Sequence, residues 1–353
     1  MIIAMHYMTK GMNLPKLSVD SSLHNVIFRL IFAFCASSVN VYVFISGYFA
    51  IDSEWSVKKL LRLWVEVLFY SILVPVILAA IGLVDISTLG FGTRQQIFLP
   101  ISYEHYWFAT AYVMLYLFSP ILKAAIEHLD KKKLGAVILT TVTVFCGFKS
   151  INPYLIPWDK YGDDVIWFMI LYLIAGYIRM YGIPFFDGGI KGSSEDKAFG
   201  STDRTVHTGR ALGTYILFSG LTFAIAYATS LIVRTTGKME YYMDMTLCYN
   251  YVTVLIASIG LFYVFLGLDI RSGKLINRLA GYTFGIYLLH ENIVLRELWP
   301  GLLGIDNAMG SPLQILHMLA CIVIVFACGC VVDLVRNAIF GLIRKLEHVS
   351  KDN

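Results

Sequence analysis

Eight ionisable side chains fall inside or at the edges of long apolar runs: His6, Arg29, Glu66, His105, Lys123, His290, Glu291 and His317. A charged group in hydrocarbon is costly, and it defaults to a functional hypothesis with a partner to be named. Histidine can sit there neutral and still take up a proton, its reference pKa being about 6.5. His6 lies in the opening fragment MIIAMHYM, and His290 lies about ten residues into another apolar run. Each is either a hydrogen-bonded structural histidine or a proton carrier, and position alone leaves both open. The other groups have simpler accounts. Arg29 and Lys123 fall near helix ends, where long side chains snorkel to water. His317 fits a structural role. Glu66 lies four residues after Arg62, so an intrahelical ion pair accounts for it. The six cysteines form no CxxC pair, and Cys328 and Cys330 fall on different faces of a helix. No metal site is expected.

The elements that must position these groups are membrane helices. Hydrophobic residues make up 58% of the 353 and charged residues 15%, against about 25% charge in a soluble domain. Blocks of the roughly 20 apolar residues that cross a bilayer recur along the chain. They run from about Asn25 to Ile51, Leu60 to Leu83, His105 to Ile126, Leu134 to Phe148, Val165 to Tyr181, Ala211 to Val233, Tyr249 to Leu268, Ala280 to Leu298 and Gln314 to Ile343. Strands of alternating polarity, as in a β-barrel, are absent from the sequence. The expected fold is all-α, a polytopic transmembrane bundle of about ten helices, the first truncated at its N-terminus. The fragment Met1 to Met8 then reads as the outer end of that first helix. Residues 1–353 form a single membrane domain in this reading, and the Gly- and Ser-rich stretch 185–210 is a flexible cytoplasmic loop within it.

Lys and Arg alternate between loops, which sets orientation. One set of loops carries Lys58, Lys59 and Arg62; Lys131, Lys132 and Lys133; Arg179, Lys191, Lys197, Arg204 and Arg210; Arg271, Lys274 and Arg278; and Arg336, Arg344, Lys345 and Lys351. The opposite loops hold fewer: Lys10, Lys16, Arg94, Lys149, Lys160, Arg234, Lys238 and Arg296. Both termini then face the cytoplasm if the first helix is complete. The net charge of +4 is a topology signal, and no nucleic-acid partner is expected.

Three motifs accompany the ionisable groups. Phe44-Ile45-Ser46-Gly47-Tyr48-Phe49 precedes the basic set Lys58, Lys59 and Arg62. His105-Tyr106-Trp107-Phe108 opens a span that closes on Ser119-Pro120, and Phe284-Gly285-Ile286-Tyr287-Leu288-Leu289-His290 runs up to the second histidine. Their order, with His6 ahead of them, resembles the acyltransferase 3 family of bacterial integral membrane O-acyltransferases over essentially the whole chain. The resemblance implies a membrane O-acyltransferase that moves an acyl group, usually acetyl, from acyl-CoA to a hydroxyl of a cell-surface polysaccharide or glycolipid precursor. Family members carry an arginine and a histidine on the first helix. His6 matches the histidine, and the arginine is expected upstream of Met1. The Trp-Ser-Leu-x-x-Glu pattern of members fused to an extracytoplasmic hydrolase-like domain is replaced here by Trp107-Phe108-Ala109 and Tyr112, as in the stand-alone branch.

The physical chemistry of such a reaction assigns expected roles. A sugar hydroxyl attacks a thioester poorly unless a base removes its proton, and a histidine suits that. His6 is the expected base. Ser46, Tyr48 or His290 could donate to the developing oxyanion. Lys58, Lys59 and Arg62 either attract the phosphates of the acyl-CoA co-substrate or serve only to set orientation. Glu66, His105 and Trp107 are further candidates. His290, about 15 Å along its helix, is expected to line a polar cavity with His6, and Glu291 is expected to point elsewhere. No bound cofactor is called for, and the partners are acyl-CoA, the sugar or glycolipid acceptor and membrane lipids of the cell membrane. A secondary transporter or lipid-linked sugar flippase is the competing reading. It predicts broken helices in two repeated halves, and no such symmetry is visible in the sequence.

Overall fold

A computed structural model of the chain describes residues 1–14, 22–152, 159–190, 204–268 and 273–349. Its helices are, in order, α1 (Ile2–His6), α2 (Leu23–Cys35), α3 (Ser38–Ala50), α4 (Val57–Ala80), α5 (Phe91–Phe98), α6 (Trp107–His128), α7 (Lys131–Val142) and α8 (Lys149–Ile151). There follow α9 (Val165–Tyr181), α10 (Thr208–Thr236), α11 (Glu240–Met245), α12 (Val252–Leu266), α13 (Lys274–His290), α14 (Leu295–Leu302), α15 (Ile305–Ala308) and α16 (Gln314–Val349). A π-helical turn, Tyr7–Gly11, continues α1, and another, Thr143–Phe148, joins α7 to α8. Strands β1 (Asp187–Ile190) and β2 (Arg204–Val206) pair antiparallel at the ends of the polar stretch. Residues 191–203 of that stretch, including Lys191 and Lys197, lie outside the described residues, as do Lys16, Arg271 and Lys351.

The protein is a helical, multi-span membrane protein. Among the described residues six helical stretches are long and apolar enough to cross a bilayer: Leu23–Ala50, which joins α2 and α3, Val57–Ala80, Trp107–His128, Lys131–Ile151, Thr208–Thr236 and Gln314–Leu342. The last has a mean hydropathy of 2.8 yet is only 22% buried, as a face against lipid requires. The helices α9 and α12 are equally apolar but have only 17 and 15 residues. The count therefore differs from the expected ten. One expected span, Ala280 to Leu298, is broken: α13 ends at His290 and α14 begins at Leu295. The break falls at the polar triplet His290-Glu291-Asn292. Beyond it Ile293 N is captured by His105 Nε2 and Val294 N by the Asn292 side chain of the turn itself. The chain divides into two compact units, one of Met1–Thr9, Asn13–Leu61 and Trp107–Asp269, the other of Lys10–Met12, Arg62–Tyr106 and Ile270–Asn353.

In the first unit, α3 packs on α9 and α12, and α10 on α12 and α2. A Cβ at Gly47 would meet Ala175 Cβ at 3.0 Å and the Tyr172 backbone at 3.3 Å, so the glycine of the Ser-Gly-Tyr motif is where α3 and α9 touch. Small residues serve this purpose between membrane helices. Asn40, fully buried, ties the same helices by hydrogen bonds: Trp167 Nε1 donates to its Oδ1 at 3.0 Å, and its amide donates to Tyr249 O at 2.8 Å and Ser258 Oγ at 3.2 Å. Asp164 caps α9 by accepting from Trp167 N at 2.9 Å. In the second unit α13 packs along α16. Gly285 of the third motif lies against Asp333 and the Tyr70 hydroxyl, with no room for a Cβ.

Candidate functional site

His290 closes α13 and is buried. Its Nδ1 lies 2.6 Å from Ile286 O. A carbonyl only accepts, so Nδ1 bears a proton, and in the neutral form of the ring Nε2 is the acceptor nitrogen. Glu291, expected to point away, instead places a carboxylate oxygen within 4.8 Å of a His290 ring nitrogen.

The turn after His290 is clamped. The Asn292 side chain is fully buried, donates to Tyr70 O at 3.2 Å and Tyr106 Oη at 3.0 Å, and accepts from Val294 N at 3.1 Å. His105 Nε2 accepts from Ile293 N at 2.8 Å. Its Nδ1 then bears the proton and faces Gln96 O at 3.1 Å and Ser71 Oγ at 2.9 Å, while Ser71 donates to Ile97 O at 2.7 Å. With both nitrogens engaged and the ring 1% exposed, His105 is a clasp for the His290 turn.

Glu66 does not take Arg62 as its partner. Arg336 on α16 reaches it at 3.1 Å and chelates Asp333 through Nε at 2.7 Å and Nη2 at 3.1 Å. Tyr70 Oη donates to Asp333 at 2.8 Å, and Asn337 to its other oxygen at 3.0 Å. Arg62 is exposed, so water competes for it, whereas Arg336 and Asp333 are buried and must pair. His317 Nε2 is 2.9 Å from Leu303 O, a structural bond.

The first unit holds His6, Ser46, Tyr48 and Trp107. His6 is half-buried at the junction of α1 with the π-helical turn, and such irregularities concentrate at functional positions. Tyr112 Oη donates to Ser46 Oγ at 3.3 Å. Tyr48 lies under the Arg179 guanidinium, 4.9 Å from the ring centroid, and Arg179 Nη2 pairs with Asp52 at 2.6 Å. Arg179, counted from sequence as a loop cation, is thus a buried member of the α3–α9 contact. Ser46, Tyr112, Tyr116, Tyr172 and Lys123 line a small cleft of about 60 Å³. Lys58 and Lys59 are exposed, and Lys59 Nζ donates to Glu54 O at 3.0 Å.

A larger cavity in this unit, about 240 Å³, is lined by Arg29, Tyr161, Asp163, Tyr249 and Cys248, with Met5, Phe32 and Ala226 on its apolar side. Arg29 is 5% exposed, so it faces this cavity and does not snorkel. Burial pushes the Asp163 carboxyl up to about 7, with Asp164 and Asp159 adding repulsion. Burial likewise raises Asp164, against the backbone bond from Trp167. The loop carrying Asp163 is anchored by Lys149, whose Nζ pairs with Asp159 Oδ2 at 2.5 Å and lies 4.2 Å from the Tyr161 centroid. Asn250 donates to Asp159 Oδ1 at 2.9 Å and to Phe145 O at 3.1 Å. Tyr249 stacks on Trp107, centroids 5.8 Å apart. Sequence reasoning missed Asp163, Asp159 and Asn250 because they lie in loops with no motif; Lys149, Asp159 and Asp163 in one polar segment were the available signal.

These features define an integral membrane protein whose buried, oriented imidazole suits proton transfer. The chain matches the acyltransferase domain family (Acyl_transf_3) over residues 1–334 and belongs to that family. No curated protein and no solved structure matches it.

Proposed function

We propose that this membrane acyltransferase moves an acetyl group from acetyl-CoA to a hydroxyl of a cell-surface polysaccharide or glycolipid precursor. The observation that carries the reading is the His290 ring, whose Nδ1–H is committed to Ile286 O, so that in the neutral ring the lone pair is on Nε2. A base must present a lone pair, and an oxyanion donor must not, so His290 is better suited to the base than to the oxyanion role. The Glu291 carboxyl lies within 4.8 Å of the ring and, when ionised, would favour the imidazolium that forms.

In the reaction the acceptor oxygen attacks the thioester carbonyl as His290 Nε2 takes its proton. The tetrahedral intermediate collapses, the C–S bond breaks, and the proton passes to the departing thiolate. The products are the O-acyl ester and CoA thiol. His6, on the family's first-helix histidine position, is proposed as a second proton-handling group. Ser46 and Tyr48 remain candidate oxyanion donors, and Lys58, Lys59 and Arg62 candidate partners of the CoA phosphates. Both termini are proposed to face the cytoplasm if the first helix is complete.

The test is acceptor-dependent release of CoA thiol by purified protein in nanodiscs. His290→Gln should lower kcat by about 10²- to 10⁴-fold, the usual contribution of a general base. His6→Gln should also lower it. Activity of His290→Gln within threefold of the parent refutes the assignment.

A further inference from the structure

We propose that the cavity bounded by Arg29, Asp163 and Tyr249 is a binding subsite for one sugar ring of the acceptor. This rests on the reading of the chain as a sugar O-acyltransferase and adds to it a location and three specificity-determining residues.

The lining matches the two faces of a pyranose. A sugar presents hydroxyls around its rim and C–H groups on its faces. Arg29 supplies donors in a rigid fork and Asp163 supplies acceptor oxygens. Phe32 and Ala226 supply apolar surface, and Tyr249 an aromatic face. Small-molecule sites combine these elements: mostly apolar walls with a few placed polar groups. The volume, about 240 Å³, is just under the roughly 300–1,000 Å³ range of such sites, which suits one ring and not a chain.

The polar wall is also held in place before any ligand arrives. Asp163 lies in a loop whose neighbour Asp159 is locked to Lys149 and Asn250 within the protein. Tyr161 is held beneath the Lys149 ammonium. The Tyr249 ring is fixed by its stack on Trp107, and its carbonyl accepts from buried Asn40. Such preorganisation lowers the ordering cost of binding. Finally, Met5 of α1 lines the cavity and immediately precedes His6. A ring bound here lies against the short helix that carries a candidate proton-handling residue.

Cys248, on the cavity wall, gives a readout independent of catalysis. With the other five cysteines replaced by alanine, the rate of Cys248 modification by methyl methanethiosulfonate is followed in the full-length protein in nanodiscs. The probes are the methyl glycosides of glucose, galactose, mannose and rhamnose. At least one should slow modification tenfold or more. Asp163→Asn should raise the concentration needed by at least tenfold, since an acceptor oxygen is exchanged for an amide nitrogen that only donates. Ala226→Phe, which fills the apolar side, should abolish protection, and it serves as the second variant if Asp163→Asn does not fold. Failure of every glycoside to protect overturns the subsite, whether or not these sugars accept acetyl groups. Protection without acetyl transfer keeps the subsite and removes the O-acyltransfer reading. Protection that survives both substitutions overturns the assignment of the lining residues.

Discussion

Replacing Lys149 with methionine removes one member of an ion pair that is closed to water. The Lys149 and Asp159 side chains are 0% and 1% exposed, with Nζ and Oδ2 2.5 Å apart. In the variant Asp159 keeps only the Asn250 amide at 2.9 Å, so a buried carboxylate is left without a counter-charge. Breaking a buried pair from one side costs about 3–5 kcal/mol. The Lys149 contact with Tyr161, at 4.2 Å, is lost as well, which adds about 1–2 kcal/mol for a desolvated cation over a ring. The expected loss is thus at the upper end, about 4–5 kcal/mol, because these terms overlap. The double variant Lys149→Met, Asp159→Leu removes both charges and should recover most of it, since apolar replacement of a buried pair is often near neutral. The assay is denaturant unfolding in detergent, followed by Trp fluorescence, for the parent, both single variants and the double. A loss under about 1 kcal/mol for Lys149→Met is the value of a surface pair and would refute the reasoning.

Three further outcomes are expected. Asp163 titrates near 7 in the folded protein, against an ordinary value of 3.8; the folded state therefore binds the extra proton, and its stability contribution is full below the ordinary value and lost as pH rises through about 7. Asp163→Asn should remove that part of the slope when unfolding midpoints are compared between pH 4 and 8. Asn292→Ala orphans Val294 N and the Tyr106 hydroxyl, so it should cost about 1–3 kcal/mol in denaturant unfolding. By freeing the turn after His290 it should also lower kcat more than tenfold with little change in the KM for acetyl-CoA; an unchanged kcat would separate the clasp from the chemistry. Replacing Lys58, Lys59 and Arg62 with Gln should raise the KM for acetyl-CoA more than it lowers kcat, with orientation checked in the same variants; an unchanged KM leaves these residues as orientation signals only.

Membrane class and most span positions were readable from apolar run length, because the bilayer fixes both composition and helix length. Thus Leu60 to Leu83 appears as Val57–Ala80, and Ala211 to Val233 as Thr208–Thr236. The broken span was not read from hydropathy. Residues 280–298 carry the polar triplet His290-Glu291-Asn292, and the break there is fixed by Asn292 bonding to Tyr106 and by His105 capturing Ile293 N, across a sequence separation that hydropathy does not register. Partner choice was misread for the same reason. Arg62 is near Glu66 in sequence but exposed, and Arg336 is the buried cation that reaches it. Charge counting by loop likewise took Arg179 and Lys149 for surface signals, although both are consumed in ion pairs. His290 was singled out from its depth in an apolar run and its motif, but the tautomer on which its proposed role rests required the Ile286 carbonyl.

The central claim is tested most directly by acceptor-dependent CoA release from acetyl-CoA by the purified protein in nanodiscs, run beside substrate uptake into sealed proteoliposomes. The account predicts thiol release that requires a hydroxylated acceptor, yields the O-acetyl ester in equal amount, and falls at least 100-fold in His290→Gln. Uptake of a glycolipid or sugar with no thiol release and no ester would contradict it.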